Sequence, residues 1–240
     1  MTLVPKRVLI RRHEKTTKNA EGKKLDQPTP EGVANAYQSG MALREEFGDQ
    51  LRLKAYHSNK KRTAITAANW LMGAGIVPVS GAGEADINMT HHQALNSFSD
   101  AMPRDVYDLM RNMTDKEAQL RAFFYLYGSV LNRSGASIAQ LAASQLEMVS
   151  EFGIPRVALG VTHGPSIDAG LLAVLGAPVT YDSMMQKTGI IKEGEGWEVT
   201  FDRVSGIYHA KVSLNGDPLA TLSLDNLSEN IKAAYTKANE

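Results

Sequence analysis

Two branched-aliphatic runs, each ending in a histidine, constrain the fold of this chain more than any other feature. The first is Arg7-Val8-Leu9-Ile10-Arg11-Arg12-His13, and the second is Arg156-Val157-Ala158-Leu159-Gly160-Val161-Thr162-His163-Gly164. A continuous apolar run of this kind suits a parallel strand covered on both faces. In open α/β sheets, ligands bind just beyond the carboxyl ends of such strands. Two imidazoles that are distant in sequence are therefore expected to converge on one site.

The rest of the chain alternates strand-like and helix-like segments, which favours an α/β fold with a largely parallel sheet. Thr29, Pro30 and Glu31 read as N-cap, first helical residue and first-turn acid of a helix that runs to Phe47, with Gly48 as its C-cap. Leu51 to His57 alternates as a strand, and Ser58 reads as the cap of a second helix ending near Gly73 or Gly75. Ile76-Val77-Pro78-Val79 reads as a short strand. Residues 103–113 and 114–131 look helical, and a further helix is expected from Ser137, with Ile138, Leu141, Ala142, Leu146, Val149 and Phe152 on one face. Another is expected from about Pro165 to Leu175. Trp197–Arg203, Ile207–Leu214 and Leu219–Leu222 read as antiparallel strands with a hairpin turn at Asn215-Gly216-Asp217, followed by an amphipathic helix carrying Leu227, Ile231, Ala234, Tyr235 and Ala238. The expected architecture is a single domain over residues 1–240: a three-layer α/β/α sandwich with a mainly parallel sheet, a helical insertion or lid at 81–135 and a C-terminal β-hairpin extension at 190–225.

Composition narrows the function classes. Lysine plus arginine (26) equals aspartate plus glutamate (26), so no global charge draws the chain to nucleic acid or to a membrane. With no cysteine, disulfides, thiolate chemistry and cysteine zinc sites are excluded. The N-terminal apolar stretch, Val8–Ile10, is closed by Arg11-Arg12 and does not read as a signal peptide, and no segment has the length of a membrane span. A cytoplasmic location is the expectation.

Charge is concentrated locally instead. Lys60, Lys61 and Arg62 crowd the first turn of the second helix. A helix N-terminus already carries roughly half a positive charge, so three cations there are unfavourable without a compensating anion. Arg11 and Arg12 precede His13, and Gly164-Pro165-Ser166 opens a helix directly after His163. Strand ends that offer two histidines, arginines and helix-terminal amides together suit a phosphoryl dianion, which arginine grips with two donors.

These residues resemble a known family. Arg12-His13-x-x-Thr16-x-x-Asn19 is similar to the N-terminal signature of the histidine phosphatase superfamily, which includes the phosphoglycerate mutases. Asp26-x-Pro28-Thr29-Pro30-Glu31-Gly32, Ser58-x-x-x-Arg62-Thr63-x-x-Thr66-Ala67 and Val161-Thr162-His163-Gly164 resemble its later blocks, in order, over residues 7–175. Glycine rather than aspartate after His163 points to the mutase-like branch.

The resemblance implies a set of roles. His13 would be the nucleophile and take the phosphoryl group as phosphohistidine. Arg12 and Arg62 would grip the equatorial oxygens and keep His13 neutral. His163 would donate to an oxygen on the opposite side, Asn19 would add a donor, and Thr16, Ser58 and Gly164 would lie close to the substrate. The leaving oxygen would take a proton from Glu84, with Asp86 as the next candidate. No metal or other cofactor is implied, because arginines and histidines supply the charge. The partners would be a small phosphorylated substrate and phosphate as product, and the oligomeric state is open.

Phosphate-monoester hydrolysis is the leading expectation. A phosphoglycerate-type phosphomutase and a catalytically degenerate phospho-ligand-binding module are the alternatives. The third is motivated by Glu14, which stands where the family usually has glycine. A carboxylate there would repel a phosphoryl group unless it points away or pairs with Lys15 or Arg11. His91-His92 could suggest a metal pair, but a surface loop is the simpler expectation, as are a rim or structural role for His57, a surface-strand position for His209, lobe core for the aromatics at 123–127 and sheet packing for Trp197.

Overall fold

The first of the two histidine-terminated runs forms β1 (Arg7–Arg12), and the second forms β6 (Arg156–Thr162). They pair in parallel at the centre of a seven-stranded sheet. Val8, Leu9 and Ile10 are all buried, so β1 is covered on both faces, as its unbroken apolar run requires. The computed structural model describes residues 7–22, 24–80, 88–147, 156–204 and 207–239.

The remaining strands are β2 (Thr16–Lys18), β3 (Lys24–Pro28), β4 (Arg52–His57), β5 (Met89–His91), β7 (Gly196–Val204), β8 (Ile207–Leu214) and β9 (Asp217–Ser223). The helices are α1 (Pro30–Phe47), α2 (Lys61–Gly73), α3 (Arg104–Arg111), α4 (Lys116–Leu126), α5 (Gly128–Glu147), α6 (Ser166–Val174), α7 (Tyr181–Lys187) and α8 (Leu224–Asn239). The sheet order is β5-β4-β6-β1-β7-β8-β9. The first four strands are mutually parallel, and the last three add on as an antiparallel meander. The C-terminal hairpin thus widens the main sheet. Its turn has Asn215 and Gly216 both at positive φ, the geometry expected of a two-residue hairpin. β2 and β3 form a separate ribbon.

On one face α1 and α2 cover Leu9, Leu53, Ala55, Leu159 and Val161. These two helices meet at Gly40 and Gly73, where an added Cβ would lie 2.1 Å from the Trp70 carbonyl oxygen and 1.9 Å from that of Tyr37. Only glycine permits that approach. On the other face α5, α6 and α8 bury Val8, Ile10, Ile138, Leu171, Trp197 and Ile231. Trp197 is fully buried and donates Nε1–H to the Ile167 carbonyl. A third apolar cluster, including Phe98, Met110, Phe123, Phe124 and Met184, fills the lobe built by α3, α4, α7 and the start of α5. The result is an α/β sandwich whose core sheet is parallel.

Three local expectations are corrected. Residues 76–79 are not a strand: Pro78 has no N–H for a ladder, and the edge position goes to Met89–His91, whose Met89 N–H donates to the Val79 carbonyl. The helix expected over 114–131 breaks at Tyr127, and α5 runs from Gly128 straight through Ser137. Burial of Leu131, Ala136, Ile138 and Ala139 on one continuous helix outweighs the preference of Ser137 for a cap. Val149 and Phe152 lie outside the described residues. Within the 123–127 stretch, Phe123 and Phe124 are lobe core, as expected, whereas Tyr125 is 88% exposed. Among the described residues, no helix is long and apolar enough to cross a membrane.

Candidate active site

Because β5, β4, β6 and β1 are parallel, all four end at one edge. Register aligns His91, His57, Val161 and Arg11 in a single row across them. Two residues further along β1 and β6 come His13 and His163, with ring centroids 5.2 Å apart. The expected convergence is present, and both rings are buried. His13 Nδ1 lies 2.8 Å from the Glu14 carbonyl oxygen. A carbonyl only accepts, so Nδ1 carries the hydrogen and Nε2 presents a lone pair. Burial pushes the His13 pKa down to about 4, and the charges of Arg62 and Arg12 add to that against the opposing bond to Glu14. At neutral pH the ring is uncharged.

His163 is held from both sides. An Arg62 terminal nitrogen donates to Nδ1 at 3.1 Å, and Nε2 lies 2.7 Å from Ser58 Oγ. Guanidinium only donates, so Nε2 carries the hydrogen in this arrangement. Ser58 Oγ also accepts the Lys60 N–H and meets Thr63 Oγ1 at 2.8 Å. Burial, then the neighbouring His13, Arg62, Lys60 and Arg12, lower the His163 pKa to about 2.

The expected cap of α2 is corrected: Ser58 does not cap it. Asp26, from the β2–β3 ribbon, accepts the amides of Lys61 (2.9 Å) and Arg62 (3.4 Å) and also the Arg62 guanidinium (2.8 Å). This supplies the anion that the cation-rich first turn requires. Burial opposes ionisation of Asp26, but the two amides and Arg62 outweigh it and lower its pKa. Lys60 is neutralised by Asp100 at 2.8 Å.

Arg12 donates to the Ile191 carbonyl at 2.7 Å and lies against Gly164, where an added Cβ would stand 3.0 Å from the guanidinium. Asp168, fully buried on α6, accepts the Ile191 N–H at 3.0 Å and so fixes the residue on which Arg12 rests. Burial raises the Asp168 pKa to about 7 against the Ile191 bond and Arg12. Neither Asp168 nor Ile191 stood out in the sequence. The available signal was a lone carboxylate in an otherwise apolar helix.

Glu14, directly after His13, is buried. Its Cβ fits against Gly32, and its carboxyl lies by Gly194, which has φ +83°. The Gly194 N–H in turn reaches the Arg12 and His13 carbonyls at 3.3 Å. Burial raises the Glu14 pKa to about 7, with Glu193 adding to the rise and Arg11 opposing it. Lys15 is exposed.

The other sequence candidates are distributed unevenly. Thr16 is buried on β2, and its hydroxyl has no hydrogen-bond partner among the described residues. Asn19 sits in the β2–β3 turn, where its carbonyl accepts the Gly22 N–H. Glu84 and Asp86 lie outside the described residues. His91 and His92 diverge: His91 packs by His57, and His92 by Tyr56. Among the described residues, no group of three metal-ligating side chains is assembled. His209 is a half-buried residue of β8.

The sequence matches no protein-family model and no curated protein. Solved structures do match. A phosphoserine phosphatase variant from Entamoeba histolytica, in complex with phosphoserine, superposes with a TM-score of 0.51 at 18% identity, over 88% of this chain and 97% of that one. Mycobacterial hydrolase 1 gives 0.54 at 18% identity, over 90% and 99%. YhfR of Bacillus stearothermophilus gives 0.53 at 16%, over 88% and 97%. The chain shares its α/β fold with these proteins. Likeness at such identities establishes architecture alone, so the chemistry must be argued from the site itself.

Proposed function

We propose that the protein hydrolyses phosphate monoesters through a phosphohistidine formed on His13. The observation that carries this reading is the uncharged, buried His13, with its Nε2 lone pair free and Arg12 and Arg62 close enough to depress its pKa. Nε2 attacks phosphorus, the ester P–O bond breaks, and the alcohol departs with a proton. Water then attacks the phosphohistidine, phosphate leaves, and neutral His13 is restored.

Arg12 and Arg62 hold the equatorial oxygens throughout. Charge stays on those oxygens in the transition state, so fixed donors supply much of the rate. A phosphoryl group would replace His163 as the partner of Arg62. His163 would then carry its hydrogen on Nδ1 and donate it, while Ser58, already 2.8 Å from Thr63 Oγ1, reverses its hydroxyl towards Nε2. Thr16 Oγ1 and Asn19 are the further donors assigned to the substrate. Glu14 is compatible with turnover because its carboxyl lies by Gly194.

The test is turnover of p-nitrophenyl phosphate by the parent and by His13→Ala. The proposal requires the variant to lose activity by about 10⁴-fold or more, the scale for removing a nucleophile. Parent-like hydrolysis by the variant overturns it. Isomerisation of 3-phosphoglycerate dependent on 2,3-bisphosphoglycerate would replace hydrolysis with mutase chemistry on the same intermediate. Tight vanadate binding without turnover would reduce the site to a binding module.

A further inference from the structure

The carboxyl edge of the sheet carries a second pair of imidazoles that the phosphohistidine reading leaves unused. His57 ends β4 and His91 ends β5; they are register partners, with ring centroids 6.1 Å apart. Strand alternation places His57 on the same face as Leu53 and Ala55, and His91 on the same face as Met89, all of which pack under α1 and α2. His13 follows Leu9 and Arg11 on that face, and Arg11 lies over the Trp70 ring of α2. His163 follows Leu159 and Val161 there too. Four imidazoles therefore face one side of the sheet, the side from which the first turn of α2 presents Arg62.

Position along the edge separates the two pairs. In-line displacement puts the leaving oxygen on the far side of phosphorus from the nucleophile. His13 is on β1, and β5 is the member of the parallel set farthest from β1. With strands about 4.8 Å apart, the end of β5 lies about two strand spacings beyond β6, where the organic half of a monoester held between His13 and Arg62 would extend.

The protonation geometry of His91 is set by its neighbours. The Asn59 amide donates to Asn96 Oδ1 at 2.9 Å, which fixes that oxygen as an acceptor. His91 Nε2 lies 3.2 Å from the same oxygen and must therefore donate to it. Nδ1 is left as the exchangeable position. His57 donates its own Nδ1–H to the Ser58 carbonyl at 2.7 Å, and burial, with the charge of His91 adding, lowers its pKa despite that bond. The ring of His91 is exposed. The nearby Lys60 and Asp100 neutralise each other.

We propose that His91 is a catalytic acid and base for the leaving-group oxygen, a role that rests on the phosphohistidine reading above. As the ester bond breaks, the Nδ1–H of the imidazolium passes to the departing oxygen and the alcohol leaves neutral. The neutral ring then takes a proton from the water that attacks phosphohistidine, which restores the imidazolium. Imidazole can both donate and accept a proton.

Leaving-group dependence tests this directly. kcat/KM is measured for ethyl, phenyl and p-nitrophenyl phosphate with the parent, His91→Ala and His91→Gln. An alkoxide needs the proton far more than p-nitrophenolate does. Both variants should lose about 10²-fold or more on ethyl phosphate, the scale of general acid catalysis, and far less on p-nitrophenyl phosphate. Retained p-nitrophenyl turnover also shows that the variants fold. An equal loss on all three esters, or no loss, overturns the proposal. So does selective loss of ethyl phosphate turnover in Glu84→Gln or Asp86→Asn instead of the His91 variants. Failure of the underlying reading looks different: a parent without turnover on any ester, or a His13→Ala protein that still hydrolyses p-nitrophenyl phosphate.

Discussion

The two ends of the parallel edge are built differently. At β1 and β6 the two imidazoles are buried and the polar side chains are held in place: His13 on the Glu14 carbonyl, His163 between Arg62 and Ser58, Arg62 on Asp26, and Arg12 on Ile191 backed by Asp168. At β4 and β5 the side chains are exposed or half-buried, and the contacts pass through Asn59, Asn96 and Asp100 at the surface. The contrast suits the proposed chemistry. A phosphoryl group is the same in every monoester and rewards rigid, desolvated donors, whereas the organic group varies and must enter and leave.

The first way to break this comparison is to remove a phosphate-side donor. Arg62→Ala should lower kcat/KM by about 10²–10³-fold equally for every ester, and should weaken vanadate binding in parallel. Dependence of that loss on the leaving group would merge the two halves that the geometry separates.

A smaller effect is expected from Glu14. Its folded pKa of about 7 lies above the ordinary 4.5, so the native state holds that proton more tightly than the unfolded chain. The stability contributed is fully present below about pH 4.5 and is lost as pH rises through 7. Glu14→Gln should therefore be more stable than the parent at pH 8 by about 1–2 kcal/mol, and by much less at pH 5, as read by urea unfolding. The buried histidines have the opposite sign. His13, lowered from 6.5 to about 4, contributes stability that is lost as pH falls through that window, and it does so in parent and variant alike. An unchanged difference between the two proteins from pH 5 to pH 8 would place the Glu14 carboxyl in solvent.

The smallest effect is that of Asp26→Ala. Loss of the α2 cap should cost about 0.5–1 kcal/mol, with a modest rise in KM as Arg62 loses its anchor. A stability loss with KM unchanged would show that Asp26 acts on the helix alone.

Legibility in the sequence follows the same division. The runs at 7–13 and 156–164 were readable because strands covered on both faces leave an unbroken apolar signature, and the Thr29–Pro30–Glu31 start because capping is local chemistry. The cap of α2 was misread because its acceptor, Asp26, arrives from a separate ribbon, and spacing in sequence carries no record of that. Asp168 and Ile191 were missed because they act on Arg12 through a backbone group contributed by a loop. Residues 76–79 were misread because Ile76, Val77 and Val79 have the composition of an edge strand, whereas the ladder selected Met89–His91. The β4–β5 end depends on such nonlocal choices, and His91 looked like an ordinary loop residue until its register with His57 was known.

The central claim is that His13 takes the phosphoryl group. Rapid quenching of the enzyme during turnover of p-nitrophenyl phosphate, in alkali and in acid, followed by peptide mass spectrometry, measures it directly. The account predicts a phosphoryl adduct on the peptide containing His13 that survives alkali, is lost in acid and is absent from His13→Ala. Steady turnover with no adduct on His13 under conditions that preserve phosphohistidine, or an adduct on another residue that persists in His13→Ala, would contradict it.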